Sequence, residues 1–362
     1  MKNITYGKLP DLFTFNDGKK VESKEDWNKR RKEISDLAVD MCYGGMPPEP
    51  EYFDIEALCN RDDIMCYKIT AGTNEKQLNF LLKIYRPEVE GKVPVIIDGD
   101  ECWDYMTPEV INTTLSHGYA VAVFNRLEVV KDLKENKDSI LYKIYPEIKS
   151  STIAGWAWGI MRAVDAMFKI DYIDTDHIAV VGHSRGGKAS QLAGVYDTRI
   201  KYVGTNGSGA GGAGCWKYKM LERVEDSAPL GDRSETLSDL FKNFPCWMGE
   251  KMRSYIDNED KLPFDQHFFK AMVAPRFYIE TEGLGDTWAN PKGSMQTFLA
   301  AKEIFKFLGV EENAQIRFRT GRHFHRLEDF EMLLNVMDHN IKRTPLSEEF
   351  QYNPFPDMEL MF

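Results

Sequence analysis

A chain of 362 residues with 43% hydrophobic and 28% charged residues can bury a large core and gives no case for extended disorder. Its formal charge of -11, without a Lys/Arg stripe, would repel a phosphate backbone and excludes nucleic acid as a partner. No apolar run reaches the roughly 18 residues of a membrane span. The start, Met1-Lys2-Asn3-Ile4-Thr5-Tyr6-Gly7, lacks a signal-peptide core, so a cytoplasmic protein with no membrane partner is expected.

Residues 1–60 are polar and proline-punctuated, with one helix expected over 27–41, and read as an arm packed on the main body. A main domain is expected over 61–345, opening with strands at 64–70 and 78–85 around the turn Gly72-Thr73-Asn74. From residue 92, continuous apolar strands at 93–97, 120–124, 178–181, 202–205, 277–279 and 316–318 alternate with helices at 154–168, 188–195, 295–308 and 327–341. That order predicts one decorated α/β domain: a doubly wound, mostly parallel sheet with helices on both faces. The aromatic-rich stretch from about 215 to 270 has no clear strand and reads as an insertion over the carboxyl ends of the strands, where ligands bind in such sheets. Residues 346–362 form a tail. The six cysteines, Cys42, Cys59, Cys66, Cys102, Cys215 and Cys246, include no C-x-x-C pair and read as small buried thiols.

Gly182-His183-Ser184-Arg185-Gly186 is a G-x-S-x-G between the strand at 178–181 and the helix at 188–195, the context of a nucleophile elbow in an α/β-hydrolase fold. A serine hydroxyl needs a base, and His323 follows the last strand on a loop ahead of a long helix. His325 is the alternative base, and His323-Phe324-His325 also reads as a metal pair lacking an obvious third ligand. His117, His177 and His339 look ordinary, whereas His183 and His267 are candidates for the pocket wall. Asp286, just past the strand at 277–279, supplies a carboxylate in the order Ser, Asp, His; Glu282 is the alternative, and Asp286 could instead cap the helix beyond Pro291. The oxyanion hole should combine the Arg185 N–H with a donor from Asp98-Gly99-Asp100-Glu101-Cys102. Gly207-Ser208-Gly209-Ala210-Gly211-Gly212 matches a dinucleotide fingerprint in letters, but no apolar helix follows it.

Leu9-Pro10-Asp11-Leu12-Phe13, Gly44-Gly45-Met46-Pro47-Pro48, the elbow through Lys188, Ser208 to Gly212, Phe244-Pro245-Cys246-Trp247, Leu262 to His267, Asp286-Thr287-Trp288 and Gly321-Arg322-His323 occur in one order. Together they resemble the bacterial glucuronoyl esterases of carbohydrate esterase family 15 and their acetyl-xylan-esterase-like relatives. The resemblance implies Ser184, His323 and Asp286 as catalytic triad, Arg185 beside the oxyanion, Lys188 on a sugar hydroxyl and Trp288 against the sugar face, with Trp247 and His267 as further substrate-binding residues. It implies a serine esterase acting on 4-O-methyl-glucuronoyl esters of xylan-derived oligosaccharides, with no metal or organic cofactor. An acetyl esterase is the alternative, and a non-catalytic carbohydrate-binding protein on the same scaffold a remoter one. Many relatives carry a glutamate where this chain has Gly207, which leaves Asp286 as the acid; fungal relatives have cysteines where His183 and Phe324 stand.

Overall fold

The computed structural model describes residues 4–5, 7–61, 64–221 and 233–362. Its strands are β1 (Ile4–Thr5), β2 (Tyr52–Asn60), β3 (Ile64–Gly72), β4 (Gln77–Tyr85), β5 (Val93–Asp98), β6 (Ala120–Phe124), β7 (Ile173–Val181), β8 (Tyr202–Asn206), β9 (Tyr218–Lys219), β10 (Phe277–Gly283) and β11 (Ala314–Arg319). The helices are α1 (Lys24–Tyr43), α2 (Pro108–Ser116), α3 (Ile140–Ile144), α4 (Thr152–Met167), α5 (Arg185–Tyr196), α6 (Leu237–Asn243), α7 (His267–Val273), α8 (Pro291–Phe307) and α9 (Leu327–Lys342).

Among the described residues, β11-β10-β8-β7-β5-β6-β4-β3-β2 form one nine-stranded sheet. The six strands from β11 to β6 run parallel, and β4, β3 and β2 extend the sheet antiparallel. Every residue of β5, β6, β8, β10 and β11 is buried, as strands covered on both faces must be, and this explains the apolar runs of β5 and β6; β10 and β11 bury charged side chains as well, among them Glu280, Glu282, Arg317 and Arg319. One large apolar cluster, including α4, α5, α7 and α8, fills one side; a second, built on α2 and α9, fills the other.

Two expectations need correction. The sheet begins at Tyr52, inside the stretch read as an arm, because β2 is an edge strand paired only with β3 and largely exposed, so burial imposes little alternation on its sequence. The insertion does contain a strand, the two-residue β9, which pairs with β1 and is too short to leave a pattern. In the rest of the stretch read as an arm, Arg31 donates to the carbonyls of Met272 and Val195, both at 2.7 Å. The tail also packs, with Met361 accepting from the Leu9 N–H at 2.8 Å and Phe355 buried. The loops after β5, β7, β8, β10 and β11 all leave the carboxyl edge of the parallel strands, which gathers residues distant in sequence at one rim.

Candidate active site

Ser184 joins β7 to α5 with φ 54° and ψ -118°, a conformation L side chains rarely adopt, which costs about 1–3 kcal/mol and holds the hydroxyl out at the rim. The flanking glycines are required by contact distance. A Cβ on Gly182 would lie 2.5 Å from the Gly186 carbonyl, and one on Gly186 would lie 2.0 Å from Asp100 Oδ1. Asp100 also accepts the His183 N–H at 2.8 Å, and the buried Arg126 guanidinium ion-pairs with it, so the turn is fastened from below. The Arg185 N–H is a first-turn donor of α5 and points with the positive end of the helix dipole toward the rim. On the facing loop the Asp100 N–H is engaged by Asp98 Oδ1 at 2.5 Å, so it is not the second oxyanion donor.

His323 Nδ1 lies 2.5 Å from Oδ2 of the buried Asp286. A carboxylate only accepts, so Nδ1 carries the hydrogen and the Nε2 lone pair is left to take a proton. Asp286 also caps a short turn, its Oδ1 accepting from the Ala289 N–H at 3.3 Å, while the cap of α8 is Asn290. The alternatives lie elsewhere. Glu282 is fully buried and accepts from Ser294 Oγ at 2.9 Å, and His325 stacks on Phe330 at 3.8 Å, where burial drives its pKa down to about 3. Among the described residues no third His, Cys, Asp or Glu joins His323 and His325 as a metal site. His183 does reach the cavity wall; its Nδ1 lies 2.5 Å from Asn206 Oδ1, and burial holds it neutral beside the His323 ring.

Ser184, Arg185 and His323 form part of the walls of two cavities. One, of about 130 Å³, is completed by Trp103, Tyr105 and His183. The other, of about 180 Å³, is completed by Gly207, Ser208, Gly209, Glu235, Phe244, Trp247, Trp288 and Ala289. Glu235, Phe244 and Trp247 of this wall come from the stretch between about 215 and 270. Arg185 is clamped here: its guanidinium pairs with Asp132 at 2.5 Å and lies 4.5 Å from the Trp247 ring, whose Nε1 donates to the same Asp132 at 2.9 Å. Its charge is therefore offset locally by Asp132. Asp132 and Glu235 carried no sequence signal, since a lone carboxylate in a loop resembles any surface residue.

Two predicted substrate residues are placed differently. Lys188 lies beneath the larger cavity rather than in its wall, 2% exposed, with its ammonium donating to the Ser208 carbonyl. His267 belongs to neither cavity; it is buried on α7 with Nε2 2.8 Å from the Pro10 carbonyl, because α7 packs against α1 and the arm passes over it.

Burial drives the Glu235 carboxyl up to about 7 and the Lys188 ammonium beside it down to about 8. Glu235 holds its proton more tightly folded than unfolded. Its contribution to stability is therefore complete below about 4.5 and is lost as pH rises through about 7. Glu235→Gln should remove that loss: the stability of wild type relative to the variant is expected to fall by roughly 2 kcal/mol between pH 4.5 and 7 in urea titrations. A constant difference across that range would mean that the Glu235 carboxyl titrates alike in the folded and unfolded chain.

The family model described as "Glucuronyl esterase, fungi" matches residues 69–309. The 4-O-methyl-glucuronoyl methylesterase 1 of Wolfiporia cocos is 28% identical over 88% of this chain and 76% of its own length. A carbohydrate esterase family 15 glucuronoyl esterase from Caldicellulosiruptor kristjansonii superposes with a TM-score of 0.83 at 30% identity, covering 98% of this chain and 97% of that one. A promiscuous esterase of the same family from a marine bacterial metagenome gives 0.80 at 25% identity over 93% and 98%. The family match spans most of the α/β domain, and the chain belongs to the glucuronoyl esterase family of α/β-hydrolase carboxylic ester hydrolases.

Proposed function

We propose that this protein hydrolyses esters of glucuronic acid carried on xylan-derived oligosaccharides, through a Ser184–His323–Asp286 triad and an acyl-enzyme. The carrying observation is that Ser184 and His323 lie where two cavities meet. An ester carbonyl at Ser184 then divides the substrate. The larger cavity offers the Trp247 and Trp288 rings and the Glu235 carboxyl, a combination suited to a sugar ring with its hydroxyls. The smaller one accepts the alcohol.

Ser184 Oγ attacks the carbonyl as His323 Nε2 takes its proton, and Asp286 holds the ring and offsets the charge that develops on it. The Arg185 N–H meets the oxyanion. His323 then gives the proton to the departing alkoxide, and water admitted from the alcohol side releases the acid by the same steps in reverse.

Initial rates on benzyl glucuronate and on an acetylated xylo-oligosaccharide, for wild type and Ser184→Ala, test the reading. Serine-dependent turnover of the glucuronate is the expected result; turnover of the acetyl ester alone would reassign the protein as a sugar deacetylase.

A further inference from the structure

The expectation that all six cysteines are buried thiols fails at four of them, Cys102 and Cys246 being half-buried in loops. Cys42 and Cys215 are buried, but Cys59 is exposed and Cys66 is half-buried. These two stand directly opposite each other on β2 and β3, the outermost antiparallel pair of the sheet.

A β-bulge creates that opposition. Up to Ala57 the strands pair regularly, Glu56 with Lys68 and Ala57 with Tyr67, and the next pair is Cys59 with Cys66. Leu58 is the extra residue. A regular ladder would oppose Leu58 to Cys66 and Cys59 to Met65, which would put the two sulfurs on opposite faces. With the bulge they share a face, and the Cys59 thiol is close enough to hydrogen-bond Cys66 and to help hold the Cys66 thiol above its usual pKa, after burial as the main cause. Directly opposed antiparallel residues lie about 4.5–5.5 Å apart at Cα, within the roughly 4.4–6.8 Å that a disulfide spans. On the other side of Cys66 its cross-strand partner is Lys83, whose ammonium, with Arg61 nearby, favours the thiolate.

We propose that Cys59 and Cys66 form a surface redox site that closes to a cross-strand disulfide by exchange with a low-molecular-weight disulfide. The Cys59 thiolate, the more exposed, attacks one sulfur of RSSR and expels RS⁻. The Cys66 thiolate then attacks the Cys59 sulfur of the mixed disulfide and expels the second RS⁻. The protein gives up two electrons and two protons, RSSR becomes two RSH, and the new bond staples the edge strand to its neighbour. The pair thus responds to the thiol–disulfide poise around the protein, whatever ester the active site cleaves.

The test uses the full chain, reduced, desalted and incubated with oxidised glutathione. Wild type is expected to lose two of its six titratable thiols and two hydrogens in mass, with a peptide map joining 59 to 66. Its Tm should rise by on the order of 3 °C, reversed by dithiothreitol. Cys66→Ser should stop at a glutathione adduct on Cys59, and Cys59→Ser should lose no thiol pair. Wild type that also stops at the adduct, or that loses its thiols through any other pair, would overturn the proposal; the esterase rate of each sample separately reports that the fold is intact.

Discussion

Ser184→Ala is expected to lower kcat on benzyl glucuronate by roughly 10⁵-fold or more, with substrate affinity close to wild type. The hydroxyl is the only atom lost, and the elbow is held by contacts that do not involve it: the His183 N–H on Asp100, the Ser184 N–H on the Asn206 carbonyl and the Gly186 N–H on the His183 carbonyl. What remains is rate enhancement from the Arg185 N–H and from the two cavities. His323→Ala should cost about as much, and the double variant little more, because the two groups act in one proton transfer. Single-turnover rates and binding to an uncleaved glucuronate separate these quantities. A Ser184→Ala protein that retains more than a hundredth of the rate would remove Ser184 from the chemistry.

The second large effect is expected at Asp286. Asp286→Asn keeps the shape of the side chain but replaces an acceptor beside His323 Nδ1 with a group that can donate, which favours the wrong imidazole tautomer and offers no charge to the imidazolium. A loss of roughly 10⁴-fold in kcat is expected near neutral pH. The control is Glu282→Gln. Burial, with Glu280 and Asp286 adding like charge, holds the Glu282 carboxyl well above its usual range, and it bonds Ser294 rather than His323, so its amide isostere should leave kcat within about threefold. The reverse ranking would transfer the role of triad acid to Glu282. No third candidate competes from the loop after β8: a Cβ on Gly207 would lie 3.5 Å from both Asp286 Oδ2 and His323 Nδ1, so a longer residue could reach the imidazole from there, and glycine supplies none.

The local signals in this chain are those that covalent geometry and burial impose on neighbouring residues. Apolar runs in β5 and β6 announce strands buried on both faces, and Gly182 and Gly186 announce a turn in which no Cβ fits. The chain order of Ser184, Asp286 and His323 follows from the winding of such a sheet, so these residues could be named from sequence alone. Where no local constraint operates, reading fails. Strand β2 is an edge with exposed faces, and the bulge that opposes Cys59 to Cys66 depends on a pairing between strands.

The substrate pocket divides in the same way. The sequence by itself determined the fold class, the elbow and the family, because each rests on residues adjacent in the chain or repeated at a fixed period. Only the tertiary structure decided which aromatic and charged residues surround Ser184. It brought Asp132 to Arg185 and Glu235 into the cavity wall, put Lys188 beneath that wall, and carried His267 away under the arm. Those placements depend on how loops and helices far apart in sequence pack at the carboxyl edge of the sheet. A single charged side chain has the same appearance in a sequence whether it meets solvent, another charge or a sugar.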